Sequence, residues 1–194
     1  FTYPEEQQYV PSKNITISWL ALDNYSGVSH ILLMIDSAQW IDIGLSMNYT
    51  IYNLSEGAHT LSLWVYDNVG NSATYVLIFY VDITPPTILI TSPINNSVIY
   101  NKHVEVSWDV EDNMALSTVE LRIDDGEWED VGAKETRILE LDIGTHKIQI
   151  RAFDKAGNSR EATVYFSIEA AISFLALLIT LALALIAIYI VVYL

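Results

Sequence analysis

Val65-Tyr66-Asp67-Asn68-Val69-Gly70-Asn71-Ser72 returns 87 residues later as Ala152-Phe153-Asp154-Lys155-Ala156-Gly157-Asn158-Ser159. Both copies read aromatic-Asp-x-x-Gly-Asn-Ser, and in both an alternating apolar run leads in and a second leads out. Asp, Gly and Asn are the residues a tight turn between two strands needs. Their side chains cap backbone N–H groups, and they tolerate positive φ. Asp67, Gly70 and Asn71, with Asp154, Gly157 and Asn158, are therefore expected to close the same hairpin twice, and a repeated hairpin implies a repeated domain.

Working outward, the repeat extends over most of the chain. Ile17-Ser18-Trp19 matches Val106-Ser107-Trp108, Asp23-Asn24 matches Asp112-Asn113, and Ile35-Asp36 matches Ile123-Asp124. Trp40 falls on Trp128, Gly44 on Gly132, Gly57 on Gly144 and His59 on His146, the offset sliding only from 89 to 87. The insertions are single residues and belong in loops. Pro4 aligns with Pro93, so Phe1 aligns with Ile90 and is expected to begin part-way through a strand, in the C-terminal part of a longer chain; the alternative is a diverged and shortened first strand. Thr84-Pro85-Pro86 should join the repeats stiffly, because Pro fixes φ and restrains its neighbour.

Within the second repeat seven short runs alternate: Thr87–Thr91, Val104–Val110, Ser117–Ile123, Trp128–Val131, Thr136–Leu141, His146–Phe153 and Arg160–Ile168. Val104, Val106, Trp108 and Val110 share one face; Glu105, Ser107 and Asp109 share the other. Period-two patterning with turn signals every 8–12 residues predicts an all-β sandwich. The expected organisation is two tandem β-sandwich domains, 1–82 and 83–168, then a single transmembrane α-helix, 169–194.

Composition supports that division. The chain has 194 residues, a net charge of −15 and no cysteine. All 24 acidic residues precede Ala170, and Ala170–Leu194 carries no charge. About 20 apolar residues span a bilayer as a helix, so the lipid bilayer is the expected partner of residues 170–194. The missing cysteines exclude disulfides and thiolate metal sites. The acidity excludes nucleic acid, which requires Lys and Arg against its phosphates.

These features resemble the immunoglobulin-like domains strung together in prokaryotic, especially archaeal, cell-surface proteins. The resemblance covers residues 1–168. It rests on Thr84-Pro85-Pro86, Ser92-Pro93, the Ser-Trp pairs ending at Trp19 and Trp108, and the Asp-x-x-Gly-Asn turns. It implies spacers, adhesive modules or envelope components without a shared active site. It also implies that Trp19 and Trp108 fill the core space that a disulfide occupies in antibody domains.

Candidate sites are few. Calcium gathers six to eight oxygens, usually from closely spaced Asp and Asn. Asp67 and Asp154 could serve, but the turn already uses them. Asp109, Glu111 and Asp112 form the better metal candidate, set against the alternative of a solvated acidic edge that discourages sheet-to-sheet association. No cofactor is expected beyond that calcium option. His30, His59, His103 and His146 lack metal spacing, and no nucleophile constellation accompanies them, so no enzyme is expected. Asp124, Asp125, Glu127, Glu129 and Asp130 read as a hairpin tip facing water.

Asn14, Asn24, Asn48, Asn53 and Asn95 each open an Asn-x-Ser/Thr acceptor for N-glycosylation. In the apolar segment Ser173, Ala176, Thr180, Ala184 and Ala187 recur every three or four residues. That small-residue face allows close helix approach and so weak homo-oligomerisation, or it is simply the alanine of a Leu/Ala-rich span.

The functional expectation is a membrane-anchored extracellular structural or adhesive protein, an Ig-like stalk or envelope component whose partners are other envelope or membrane proteins. The alternative is the membrane-proximal part of a receptor, an accessory subunit of a membrane complex, or an anchored hydrolase with its active domain upstream.

Overall fold

The computed structural model describes residues 1–171, 178–179 and 181–187. Fifteen strands account for the first 168 residues, and each repeat builds two sheets.

In the first repeat the strands are β1 (Tyr9–Val10), β2 (Ile15–Ser18), β3 (Val28–Ile35), β4 (Ile41–Asp42), β5 (Asn48–Ile51), β6 (Gly57–Asp67) and β7 (Ser72–Val81). One sheet runs β1-β7-β6-β3-β4 and the other pairs β2 with β5. Alternate residues of both face inward. Ile15 and Ile17 from β2, Ile31 and Leu33 from β3, Leu61 and Leu63 from β6, and Leu77 and Phe79 from β7 form one cluster closed by Trp19. Each such aliphatic side chain contributes about 1.5–3 kcal/mol on burial, which lets a cysteine-free domain hold its shape.

The second repeat adds β8 (Thr87–Ser92), β9 (Ser97–Ile99), β10 (His103–Glu111), β11 (Leu116–Ile123), β12 (Glu129–Val131), β13 (Lys134–Glu140), β14 (Gly144–Asp154) and β15 (Ser159–Ile168). Its sheets run β13-β10-β8 and β12-β11-β14-β15-β9. Seven of these strands match the alternating runs of the sequence to within a few residues. Val104, Val106, Trp108 and Val110 are buried together on the inner face of β10. β9 is an addition: a three-residue parallel partner of β15, registered Phe166 to Ser97 and Ile168 to Ile99.

The repeats share small details. Thr2 Oγ1 lies 2.8 Å from Ser18 Oγ, and Thr91 Oγ1 lies 2.7 Å from Ser107 Oγ. The peptide bonds before Pro4 and Pro93 are both cis.

The chain divides into two compact units that do not follow the repeat boundary. One holds Phe1–Ile88, Val110–Glu120 and Arg151–Glu161; the other holds Leu89–Asp109, Leu121–Ile150 and the chain from Ala162 onward.

Residues 178–179 and 181–187 are helical, and Leu178, Ile179, Leu181, Leu183, Leu185 and Ile186 are exposed along them. Among the described residues no helix is long and apolar enough to cross a membrane. The predicted span 170–194 lies largely outside those residues, as do Ser173, Ala176 and Thr180; Ala184 and Ala187 lie exposed on the helical part.

Candidate functional site

The doubled turn folds as a capped hairpin in both copies. In the first, Asp67 Oδ1 accepts the N–H groups of Val69 (3.0 Å) and Asn71 (2.8 Å), and Asp67 Oδ2 accepts the Asn71 side-chain amide (2.7 Å). In the second, Asp154 accepts the backbone N–H (2.8 Å) and side-chain amide (2.7 Å) of Asn158. Gly70 and Gly157 turn the chain at φ of 95° and 93°, where a side chain is strained. The copies differ in their surroundings, because Asp154 is buried while Asp67 remains partly exposed.

What surrounds Asp154 is a cluster of carboxylates. Asp82, Asp112 and Asp154 bring one carboxylate oxygen each to within 4.8 Å of one another. All three belong to the same compact unit. Asp82 follows the end of β7. It is held there because its N–H donates to the carbonyl of Val10 (3.0 Å) and its own carbonyl accepts the Asn158 side-chain amide (2.9 Å). Asp112 caps the loop after β10, its Oδ1 accepting from the N–H groups of Met114 (2.9 Å) and Ala115 (2.7 Å). The Lys155 N–H donates to Ala115 O (2.9 Å), tying that loop to the Asp154 turn.

Both Asp154 oxygens accept from Asn158, whereas Asp82 and Asp112 each keep one oxygen without a partner. Asp82 is 0% exposed, and its Oδ2 is buried without a hydrogen-bond partner, as is Asp112 Oδ2. Burial, followed by the charges of Asp154, Asp112 and Glu56, pushes the Asp82 carboxyl up to about 6, against the hydrogen bond from the Thr84 N–H. Glu56 stands beside the site and accepts from the Ile83 N–H (3.0 Å) and the Asn113 side-chain amide (3.4 Å). Hydrogen bonds from Thr84 and Ile83 hold the Glu56 carboxyl below its ordinary range.

Of the acids weighed as metal ligands from sequence, Asp112 of the acidic loop and Asp154 of the doubled turn enter this cluster, and Asp67, Asp109 and Glu111 do not. Asp109 faces its register partner Lys134 and forms an ion pair with it, while Glu111 ends β10 exposed. Asp82 carried no sequence signal. It stands alone between an apolar strand and Thr84-Pro85-Pro86, and only the fold brings it to the other two.

The first repeat offers a contrast. Asp23, equivalent to Asp112, points Oδ1 at the N–H groups of Tyr25 (3.1 Å), Ser26 (2.6 Å) and Gly27 (2.7 Å) in an exposed loop. Those bonds, led by that from Gly27, hold its carboxyl below the usual range.

Asp124 stands half-exposed on the hairpin tip expected from sequence, but it is also bonded. Asp124 sits at positive φ and turns its carboxylate back, to His146 Nδ1 (3.0 Å) and the Lys147 N–H (2.9 Å). Asp125 is exposed and pairs with Lys147 (2.7 Å); Glu127, Glu129 and Asp130 are exposed, with Glu129 paired to Arg137 (2.7 Å). Asp36 and His59 repeat the Asp–His contact at 2.6 Å.

All five glycosylation acceptors are exposed. Asn14 Oδ1 accepts the Asn53 N–H and Asn95 Oδ1 accepts the Tyr165 N–H, each at 2.9 Å.

An aromatic ladder crosses the outer face of the first five-stranded sheet. His30 stacks on Tyr66 (4.6 Å between centroids), Tyr66 on Trp64 (5.1 Å), and Trp64 meets Trp40 (5.8 Å). In the second repeat cations enter the same face, with Arg122 over Trp128 at 4.5 Å and Arg151 over Phe153 at 5.6 Å.

Residues 86–164 match the bacterial Ig domain. That match spans β8 to most of β15, and with the fold it makes the repeats Ig-like. The fibronectin(III)-like modules of Clostridium thermocellum CbhA are similar over 87% of this chain and 93% of theirs, at 20% identity and a TM-score of 0.55. The likeness shows the all-β Ig/fibronectin III sandwich. Three N-terminal domains of the bacteriophage RB49 highly immunogenic outer capsid protein align over 88% of this chain and 69% of theirs, at 12% identity and a TM-score of 0.47. No curated protein matches the sequence.

Proposed function

We propose that this chain is a non-enzymatic, membrane-anchored extracellular protein in which tandem Ig-like sandwiches act as a stalk or envelope module. The observation that carries this reading is the junction after β15. The Ig-like part ends at Ile168, Glu169 is the last charge, and the uncharged apolar segment follows without a linker. Exposed Leu and Ile side chains on residues 178–179 and 181–187 support lipid as the surroundings of that segment. The 24 acidic residues lie on the other side of the junction, which suits hydrated domains held off the bilayer.

The test is fractionation of cells that make the full chain and a chain ending at Ile168. The full chain should resist alkaline extraction from membranes and be digested by protease added outside intact cells, while the shortened chain is released. Extraction of the full chain with the soluble proteins removes the anchor; protection from external protease reverses the topology.

A second reading, an accessory subunit that contacts a partner protein, is favoured by the aromatic ladder. Trp and Tyr are over-represented where protein surfaces meet. Copurification from native membranes, lost when Trp40 and Trp64 are both changed to Ala, would select it.

A further inference from the structure

We propose that Asp82, Asp112 and Asp154 bind a hard divalent cation, with calcium as the preferred ion. Two independent observations meet here. Three carboxylates present oxygens within 4.8 Å of one another, a span a single ion can bridge. In addition, the fully buried Asp82 aims an oxygen without any partner into that space, and Asp112 adds a second such oxygen. Buried acceptors are otherwise nearly always satisfied.

The donor set chooses the class of ion. Carboxylate oxygens without histidine or cysteine suit Ca²⁺, Mg²⁺ or Mn²⁺ over zinc or copper. Calcium tolerates irregular geometry with six to eight oxygens at about 2.3–2.6 Å, whereas Mg²⁺ demands a near-octahedral shell and releases its waters reluctantly. The arms of this site are not free to rearrange. Asp82 is tethered through Val10 and Asn158, Asp112 through Met114 and Ala115, and Asp154 through Asn158. Three fixed carboxylates with water completing the shell match calcium. Glu56 lies close enough to add to the negative field.

An alternative occupant of the space is a proton shared among the acids, and the experiment separates the two. The full chain, in detergent and stripped of metal, is titrated with CaCl2 at constant ionic strength by calorimetry, and its melting is followed with calcium or with EGTA. One saturable site should appear, and free calcium about a hundredfold above Kd should raise Tm by about 5–10 °C. Mg²⁺ should produce a smaller shift.

Asp82→Asn and Asp112→Asn should each weaken calcium binding at least tenfold. Asp130→Asn, an exposed acid outside the cluster, should leave it within twofold and so controls for diffuse attraction to an acidic protein. The proposal is overturned if the wild type shows no saturable binding and no melting shift. It is equally overturned if Asp130→Asn weakens binding as much as the cluster variants. Should Asp82→Asn fail to fold, Asp112→Asn and the wild-type titration still decide.

Discussion

His146 Nδ1 lies 3.0 Å from Asp124 Oδ2 while its Nε2 donates to the carbonyl of Asp142 at 2.8 Å, so both ring nitrogens face acceptors. A neutral imidazole has only one N–H and can serve only one of them. Burial opposes the charge, but the hydrogen bonds from the ring to Asp124 and Asp142 and the charges of those acids outweigh it, and the imidazole is raised above its ordinary value.

The sign of the pH effect follows. A group raised on folding stabilises most fully below its unfolded value of about 6.5, and that contribution is lost as pH rises through the higher folded value. Denaturant midpoints should therefore fall as pH climbs above about 6.5, and His146→Gln should flatten that part of the profile. A profile unchanged by the substitution would show that His146 is not the titrating group.

Gly70 and Gly157 test the doubled turn. A Cβ built at either meets nothing within 4 Å, so the cost of alanine there is backbone strain alone. Gly70→Ala and Gly157→Ala should each cost about 1–2 kcal/mol, seen in calorimetry as a drop in Tm of a few degrees. Equal values for the two would show that the hairpins are energetically as well as structurally the same.

Trp19 and Trp108 occupy equivalent buried positions with unequal bonding. Trp108 Nε1 donates to the Gly132 carbonyl at 2.8 Å, whereas Trp19 Nε1 is buried without a partner. Trp108→Phe removes a hydrogen bond; Trp19→Phe removes an unsatisfied donor. The first should be more destabilising by about 1–2 kcal/mol, read from chemical denaturation of the two variants.

Glycan attachment has a direct readout in mass. The bare polypeptide is 21.8 kDa, and Asn14, Asn24, Asn48, Asn53 and Asn95 are all on the surface. Chain purified from native membranes should be heavier, and Asn→Gln changes at the occupied positions should remove the excess stepwise. A native mass equal to that of the polypeptide would show that none is modified.

The strands were legible because every second residue is apolar. Val104, Val106, Trp108 and Val110 announce both the strand and its buried face, and the doubled turn sets the repeat. Asp112 and Asp154 were visible singly, but the cluster they form with Asp82 was not, because its members lie far apart in sequence and Asp82 stands outside any turn. Sequence spacing reveals a site only when the ligands share one loop or one face, as in the Asp109–Glu111 alternation, and there the cross-strand Lys134 had already claimed Asp109. Asp124 escaped for a related reason. A hairpin tip rich in acids reads as solvated, and nothing local shows that one of them folds back onto a histidine.

The short parallel pairing of β9 with β15 has a mechanical consequence. β9 lies near the start of its repeat and β15 at its end, and the two run in the same direction. Tension applied through the chain pulls β9 back toward its N-terminal end and β15 toward its C-terminal end. The strands are thereby asked to slide past each other, and their hydrogen bonds share the load together. An antiparallel pair pulled at one end would open one bond at a time. Three residues of parallel strand are thus loaded in shear rather than peeled when the two strands are drawn apart along the chain.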